Sequence, residues 1–255
     1  MPNVATLPLL LKQLKLPGMY ANWEATAELA EKSHWTYPEY LTALSDAEAA
    51  NRRQKRIQRC TKEAKLPSGK TLDNFDFKAA ASLNHAQIFA LADNVSWVNQ
   101  ASNVLIFGPS GVGKTHLAAA MTHRLIQQGL RALFLSTTTM VQKLQAARKE
   151  FKLELFMNKL SRYPLLVLDD FGYVKKDEAE TSVLFELIAE RYEANSLLIT
   201  SNQPFSEWDS IFPDNVMAVA AIDRLVHHAT IINVRDESYR KKNASKNNEG
   251  GRCKK

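Results

Sequence analysis

Eight consecutive residues, Gly108, Pro109, Ser110, Gly111, Val112, Gly113, Lys114 and Thr115, set three glycines, a lysine and a hydroxyl at fixed spacing. The string fits the pattern G-x4-G-K-[ST] completely. That spacing serves phosphate. Glycines let a backbone wrap an anion with its N–H groups turned inward, and a helix beginning at the end of the loop adds its positive N-terminus. Lys114 then reaches the β and γ phosphates of a nucleoside triphosphate, and the Thr115 hydroxyl ligates Mg2+. His116 follows at once and is counted with the loop as a cofactor-binding residue. The expected cofactors are therefore a nucleoside triphosphate and Mg2+.

Two further segments could complete the chemistry. LLVLDD (Leu165–Asp170) is an apolar run that ends in two acids. A buried strand ending in Asp169 would place a carboxylate beside the metal, and Asp170 would face the γ-phosphate and polarise the attacking water. Asp170 could instead cap the next turn. LLITSN ends in Asn202, with Thr200 and Ser201 nearby. Asn202 could reach the same water from a neighbouring strand tip, or could simply form the turn before Gln203-Pro204.

These residues need elements that hold them together. Short apolar runs at Asn103–Gly108, Arg131–Ser136, Pro164–Asp170, Ser196–Asn202 and Ala229–Val234 read as buried strands. They alternate with helical stretches at Thr115–Gln128, Thr139–Leu160 and Glu178–Asn195, which argues for a parallel sheet covered on both faces. Residues 1–66 read as a small all-helical domain. Leu7, Leu10, Leu11 and Leu14 share one helix face. Pro17-Gly18 breaks that helix, a second follows around Ala21–Lys32, and Pro38 starts a third with Tyr40, Leu41 and Leu44 inward. LPSGKTL (Leu66–Leu72) reads as a linker, residues 67–240 as the second domain, and 241–255 as a disordered basic tail.

Composition narrows the class. The chain has 255 residues and a net charge of +6. Between Asn51 and Lys70 eight basic residues face Glu63 alone, and from Arg235 onward eight face three acids. Two basic patches on a mildly acidic body suggest a polyanion partner, or a solvated helix and a floppy tail. Cys60 and Cys253 share no metal-ligand spacing and read as reduced thiols. LPLLLKQLKL near the start is too short to span a bilayer and lacks the layout of a signal peptide. The expectation is a cytoplasmic protein.

In this order and spacing, GPSGVGKTHLA, LLVLDDFG, LLITSNQPFSEW and AAIDRLVHHATII resemble the IstB family of transposition helper ATPases. The DnaC group of helicase loaders is a close neighbour, and both belong to the AAA+ ATPases. LKQLKLPGMYANW and YLTALSDAEAANRRQKRIQRCTKEAKLP look like the family's helical head, so the resemblance covers all but the tail after about Lys242. It implies an AAA+ P-loop NTPase core, α/β with a five-stranded parallel sheet between helices. It places Asn202 where the sensor I residue sits. Arg224 in IDRL matches an arginine finger supplied to the ATP of a neighbouring subunit; taken alone, it could be a surface arginine paired with Asp223. Arg240 in SYR matches a sensor II arginine or begins the basic tail. LDNFDF (Leu72–Phe77) resembles the entry segment near the adenine, although Phe75 and Phe77 could be plain core. Many AAA+ proteins carry Glu where this chain has Asp170, which suits slow, switch-like hydrolysis.

The resemblance also implies what the energy is used for. ATP would drive assembly of a homo-oligomer with shared ATP sites on double-stranded DNA, and the assembly would deliver or activate a transposase. The alternative is a loader of a replicative helicase; a P-loop small-molecule kinase would leave the basic head unexplained. Arg52, Arg56 and Arg59 share a helix face with Arg53 and Lys55 flanking it, a stripe able to neutralise phosphates without reading bases. The helix around Lys143–Lys159 could line a DNA-facing surface. It could equally be a solvated amphipathic helix with Leu144, Phe151 and Leu155 inward.

Overall fold

The computed structural model describes residues 4–172, 177–204, 207–208, 215–236 and 238–239. They form two compact units, one up to Arg59 and one from Cys60 onward.

The first unit is helical. It holds α1 (Leu7–Gln13), α2 (Pro17–Lys32) and most of α3 (Tyr37–Ala64). Pro17-Gly18 does separate the first two helices, and Pro17 also opens α2 in its first turn, where its missing N–H costs nothing. The free N–H groups of that turn are met from α3. Glu48 accepts from Gly18 N at 2.6 Å and Met19 N at 3.2 Å, and its other oxygen takes Arg52 Nε at 2.6 Å. Burial raises the carboxyl, but Arg52 and the two N–H groups outweigh it and hold Glu48 below the usual carboxylate range. The expected apolar stripes are only partly buried. Leu11 and Leu44 are inside, whereas Leu10, Leu14 and Leu41 are exposed, because so small a helical unit covers one row of side chains rather than a whole face.

The second unit is built on five parallel strands in the order β2-β3-β4-β1-β5. They are β1 (Asn103–Phe107), β2 (Ala132–Ser136), β3 (Leu165–Asp169), β4 (Ser196–Ser201) and β5 (Ala229–Asn233). The sheet divides the core by the two-residue period of the strands. Val104, Ile106, Leu165, Val167 and Leu198 face α4 (His85–Ala92), α5 (Ser96–Asn99) and α6 (Lys114–Gln127). Leu105, Phe107, Leu166, Leu168, Leu197 and Ile199 face α7 (Thr137–Lys149), α8 (Leu153–Leu160), α9 (Glu178–Arg191) and α10 (Asn215–Val226). This two-sided burial is why the strands read as unbroken apolar runs. After β1 the chain crosses two strands to reach β2, then returns through β3 and β4. The carboxyl ends of β1, β3 and β4 thus meet where the winding reverses, the place an open α/β sheet offers a ligand.

One helical expectation is corrected. The stretch Thr139–Leu160 is two helices, because Phe151 adopts a left-handed φ of +56° and ends α7. Phe151 N–H donates to Arg148 O at 3.1 Å and Lys152 N–H to Ala147 O at 2.8 Å, the paired closure of a helix C-terminus normally built on glycine. Leu144 is buried as expected, but Phe151 is 98% exposed and Leu155 69% exposed, so neither faces inward. Among the described residues no helix is long and apolar enough to cross a membrane.

The opposite end of the sheet is fastened by a buried cation. Arg191, 2% exposed, closes α9 and donates to four backbone carbonyls: Leu160 at 3.4 Å, Tyr163 at 3.0 Å, Pro164 at 3.2 Å and Ser196 at 2.8 Å. It thereby ties the end of α8 to the starts of β3 and β4. Burial pulls its pKa down to about 9, still well above neutrality. Arg191→Met is expected to lower unfolding free energy by about 3 kcal/mol, since it takes a charged donor from four carbonyls, of which Leu160 O and Pro164 O keep the Tyr163 and Ser196 N–H groups. Chemical denaturation measures this; a wild-type midpoint would mean those carbonyls find other donors.

Candidate functional site

The glycine loop leaves the sheet directly from β1. Gly108 N–H donates to Ser201 O of β4 at 3.2 Å. A Cβ at position 108, where φ is +153°, would stand 2.3 Å from the Val234 carbonyl oxygen just beyond β5, so only glycine passes here. Helix α6 begins on Gly113 at φ +97°. Lys114, 6% exposed, lies back across the loop, its Nζ donating to Gly108 O at 2.8 Å and Pro109 O at 2.9 Å. Pro109 and Ser110 are exposed, whereas Val112 is buried and anchors the loop in the core.

The tips of β3 and β4 meet this loop through one hydroxyl. Thr200 Oγ1 donates to Asp169 Oδ1 at 2.6 Å and accepts the Asp170 N–H at 3.0 Å. The Thr115 hydroxyl also bonds to the Asp169 carboxylate. Burial raises the Asp169 pKa, the neighbouring charge of Asp170 adds to the rise, and Thr200, Thr115 and Lys114 oppose it; the net shift is upward. Asp170 turns the chain with φ +56°, and Phe171 N–H returns to Thr200 O at 2.8 Å. Asp170 itself is exposed. Asn202 follows β4, and its buried Oδ1 finds no donor among the described residues.

These groups line one end of a cavity of about 750 Å3. Lys114, Thr115, Asp169, Asp170 and Asn202 supply its polar end, and Phe75, Ala79, Ala80 and Tyr239 supply a more apolar side. His116 holds the two together. Its Nε2 faces Thr71 O at 3.0 Å and Asn74 Oδ1 at 2.9 Å. Both are acceptors, so Nε2 carries the proton. Burial lowers the His116 pKa, and Lys70 adds to that against the Thr71 carbonyl. Phase and shape suit a nucleotide: an ammonium and helix N-terminus for phosphate, a hydroxyl beside a carboxylate for a hard cation, and an aromatic side for a base.

The structure brings Gly108, Pro109, Ser110, Gly111, Val112, Gly113, Lys114, Thr115, His116, Asp169, Asp170 and Asn202 to this end of the sheet. It does not bring Arg224 there. Arg224 sits on α10, donates to Ala220 O at 3.2 Å and lies 5.1 Å from the Phe185 ring centre. It forms no ion pair with Asp223; neighbours on a helix point apart. Arg240 and the tail lie outside the described residues, but Tyr239 N–H donates to Gly111 O at 3.1 Å. Lys70 carries no local signal in the sequence, whereas Asn74 and Tyr239 lie inside the LDNFDF and SYR segments without standing out as site residues themselves. Thr200 stands out in the sequence only as a neighbour of Asn202. In the first unit Arg52, Arg53, Lys55, Arg56 and Arg59 are all exposed on α3, and Arg52 is committed to Glu48.

Residues 9–247 match the family described as IstB-like ATP binding protein. An insertion-sequence ATP-binding protein of Sinorhizobium fredii is 50% identical over 240 residues, covering 94% of this chain and 80% of its own. The ATP-binding protein of insertion sequence IS21 from Pseudomonas aeruginosa is 37% identical over 240 residues, 94% of this chain and 90% of its own. Among solved structures, AMPPCP-bound DnaA from Aquifex aeolicus aligns with a TM-score of 0.56 and 21% identity, over 73% of this chain and 56% of that one. The chain thus spans little more than half of that DnaA. The DnaC helicase loader aligns with a TM-score of 0.51 and 21% identity, over 66% of this chain and 97% of its own. At these identities the likeness is one of fold, and the fold is that of an AAA+ P-loop core.

A raised carboxylate pKa has a thermodynamic sign. The folded state holds the Asp169 proton more tightly than the unfolded state, so ionisation costs stability as pH rises through the shifted value. Asp169→Asn keeps an acceptor for Thr200 and removes the buried charge. It is expected to raise the melting temperature of the nucleotide-free protein by a few degrees at neutral pH, with the gain fading as pH falls toward the carboxylate range. Calorimetry across pH checks this; a lower melting temperature at neutral pH would show that the charge stabilises the fold.

Proposed function

The chain belongs to the IstB-like ATP-binding protein family, and from that premise we propose that it is a DNA-dependent ATPase that helps an insertion sequence to transpose. ATP binding drives assembly of several copies on double-stranded DNA, the assembly delivers or activates the transposase, and hydrolysis resets it in the cytoplasm. The observation that carries the ATPase reading is the convergence of Lys114, Thr115, Asp169, Asp170 and Asn202 on one end of a single cavity. The named relatives, which are insertion-sequence proteins, favour transposition over helicase loading.

Each residue has a defined task in this reading. The glycine-loop N–H groups and Lys114 hold the β and γ phosphates. The Thr115 hydroxyl and Asp169 hold Mg2+, and their mutual hydrogen bond already sets them side by side. A bound Mg2+ supplies positive charge against the phosphate oxygens. Asp170 accepts the proton of the attacking water, and Asn202, with its free buried Oδ1, orients that water. Arg224 does not line its own cavity and serves a neighbouring copy, where its guanidinium offsets charge on the transferred phosphoryl. The exposed basic residues of α3 take up DNA phosphates.

Arg224→Ala is expected to bind ATP normally and to lose hydrolysis by about a thousandfold. Mixing it with Lys114→Ala should restore part of the activity, because one sound loop can then meet one sound finger. Absence of rescue at every mixing ratio would rule out shared sites. The DNA surface has its own readout. Arg56→Ala combined with Arg59→Ala should weaken duplex binding and reduce the slope of log affinity against log salt by about two. An unchanged slope would take both residues off the DNA interface.

A further inference from the structure

The amino ends of the strands, remote from the nucleotide cavity, carry a second group of side chains that ATP chemistry does not use. Glu193 lies in the turn between α9 and β4, and His227 and His228 lie between α10 and β5. One Glu193 carboxylate oxygen and one ring nitrogen of each histidine fall within 4.8 Å of one another, and all three side chains are exposed. The two imidazole rings are 4.1 Å apart, centre to centre.

The surroundings fix these donors. Tyr192 Oη lies 2.9 Å from His227 Nδ1 and also bonds to the Glu193 side chain, so one phenol braces two of the donors. The backbone is held at each position as well. His227 N–H donates to Asp223 O at 3.0 Å, His228 O accepts the Asn103 N–H at 2.8 Å, and Ala194 and Asn195 both donate to Arg191 O. The histidines are thereby tied to the last turn of α10 and the first residue of β1. Glu193 is tied to the end of α9, where Arg191 clamps the sheet.

We propose that Glu193, His227 and His228 bind a borderline divalent transition metal, with Zn2+ as the representative ion. Two imidazoles and a carboxylate are a zinc donor set, and three protein ligands leave a further position for water. Ligands around tetrahedral zinc stand about 3.3 Å apart, so donors no more than 4.8 Å apart need draw together by at most about 1.5 Å. Rotations of exposed side chains supply that. The site is chemically separate from the one at the glycine loop, because Mg2+ selects oxygen donors whereas imidazole suits zinc, nickel and copper. Tyr192 acts as the outer support that orients ligands in such sites.

The test uses full-length protein without a histidine tag, titrated with Zn2+ against a chromophoric chelator. One Zn2+ per chain should bind in the micromolar range, with no competition from excess Mg2+ or from an ATP analogue. His227→Ala, His228→Ala and Glu193→Gln should each weaken binding by about tenfold or more, and Tyr192→Phe by less. Because all three donors are exposed, the metal-free variants should keep the wild-type circular dichroism and melting temperature. Absorption of the Co2+ form should show the intense visible bands of four-coordinate cobalt and lose them in the variants. Two results would overturn the proposal: no saturable zinc binding by the wild type, or unchanged binding in all three variants, which would put the ion elsewhere, on Cys60 or Cys253 for instance.

Discussion

Asp169 carries a carboxylate at the end of a strand buried on both faces, where an ionised group loses most of its hydration. The surrounding structure is arranged so that this charge is not left alone. Thr200 reaches it from β4, Thr115 from the first turn of α6, and the Lys114 ammonium lies close by. They come from two elements, the end of β4 and the first turn of α6, so the sheet register, the loop path and the helix start must all be right at once. Thr200 is the joint of the system, since the same hydroxyl also receives the Asp170 N–H. The carboxylate stays uncomfortable even so, and at the divalent-cation site proposed for it such residual cost is useful.

The molecule separates its polar groups along the strand axis. The carboxyl ends of β1, β3 and β4 hold the glycine loop, Asp169, Asp170 and Asn202, and the amino ends hold Arg191, Glu193 and the paired histidines. The parallel arrangement makes this division possible, because every strand delivers its loop to the same face. Asn103 shows how closely the two ends are coupled. It opens β1 by donating to His228 O and, through its side chain, bonds to Leu225 O and Leu197 N; four residues later β1 ends at the glycine loop. A rigid strand therefore lies between the site at one end and the helix that carries Arg224 at the other.

Much of this was legible in the sequence, and for a physical reason. A strand buried on both faces must be apolar throughout, so LLVLD and LLITS declare themselves, and the phosphate loop has few other chemical uses. The five strands fall within a residue or two of their expected bounds. Short helices such as Ser96–Asn99 have too few turns to show a period. The break at Phe151 is hidden in the sequence because a left-handed residue there is neither glycine nor proline, and the apolar spacing runs on across it. Thr200 and Arg191 were opaque for another reason. Their significance comes from partners some thirty residues away in sequence, which no local pattern reports. Tyr239 joins the cavity only because the segment after β5 folds back to the loop.

The resting position of Lys114 bears on how the loop recognises its ligand. Its ammonium is already held by two carbonyls of the loop itself, the loop proposed to take the phosphates. Recognition is then an exchange of acceptors about one nearly stationary cation. The freedom of a lysine side chain, worth about 2 kcal/mol, is surrendered when the protein folds and not when the nucleotide arrives. Part of the entropic cost of binding is thus moved into the folding of the chain.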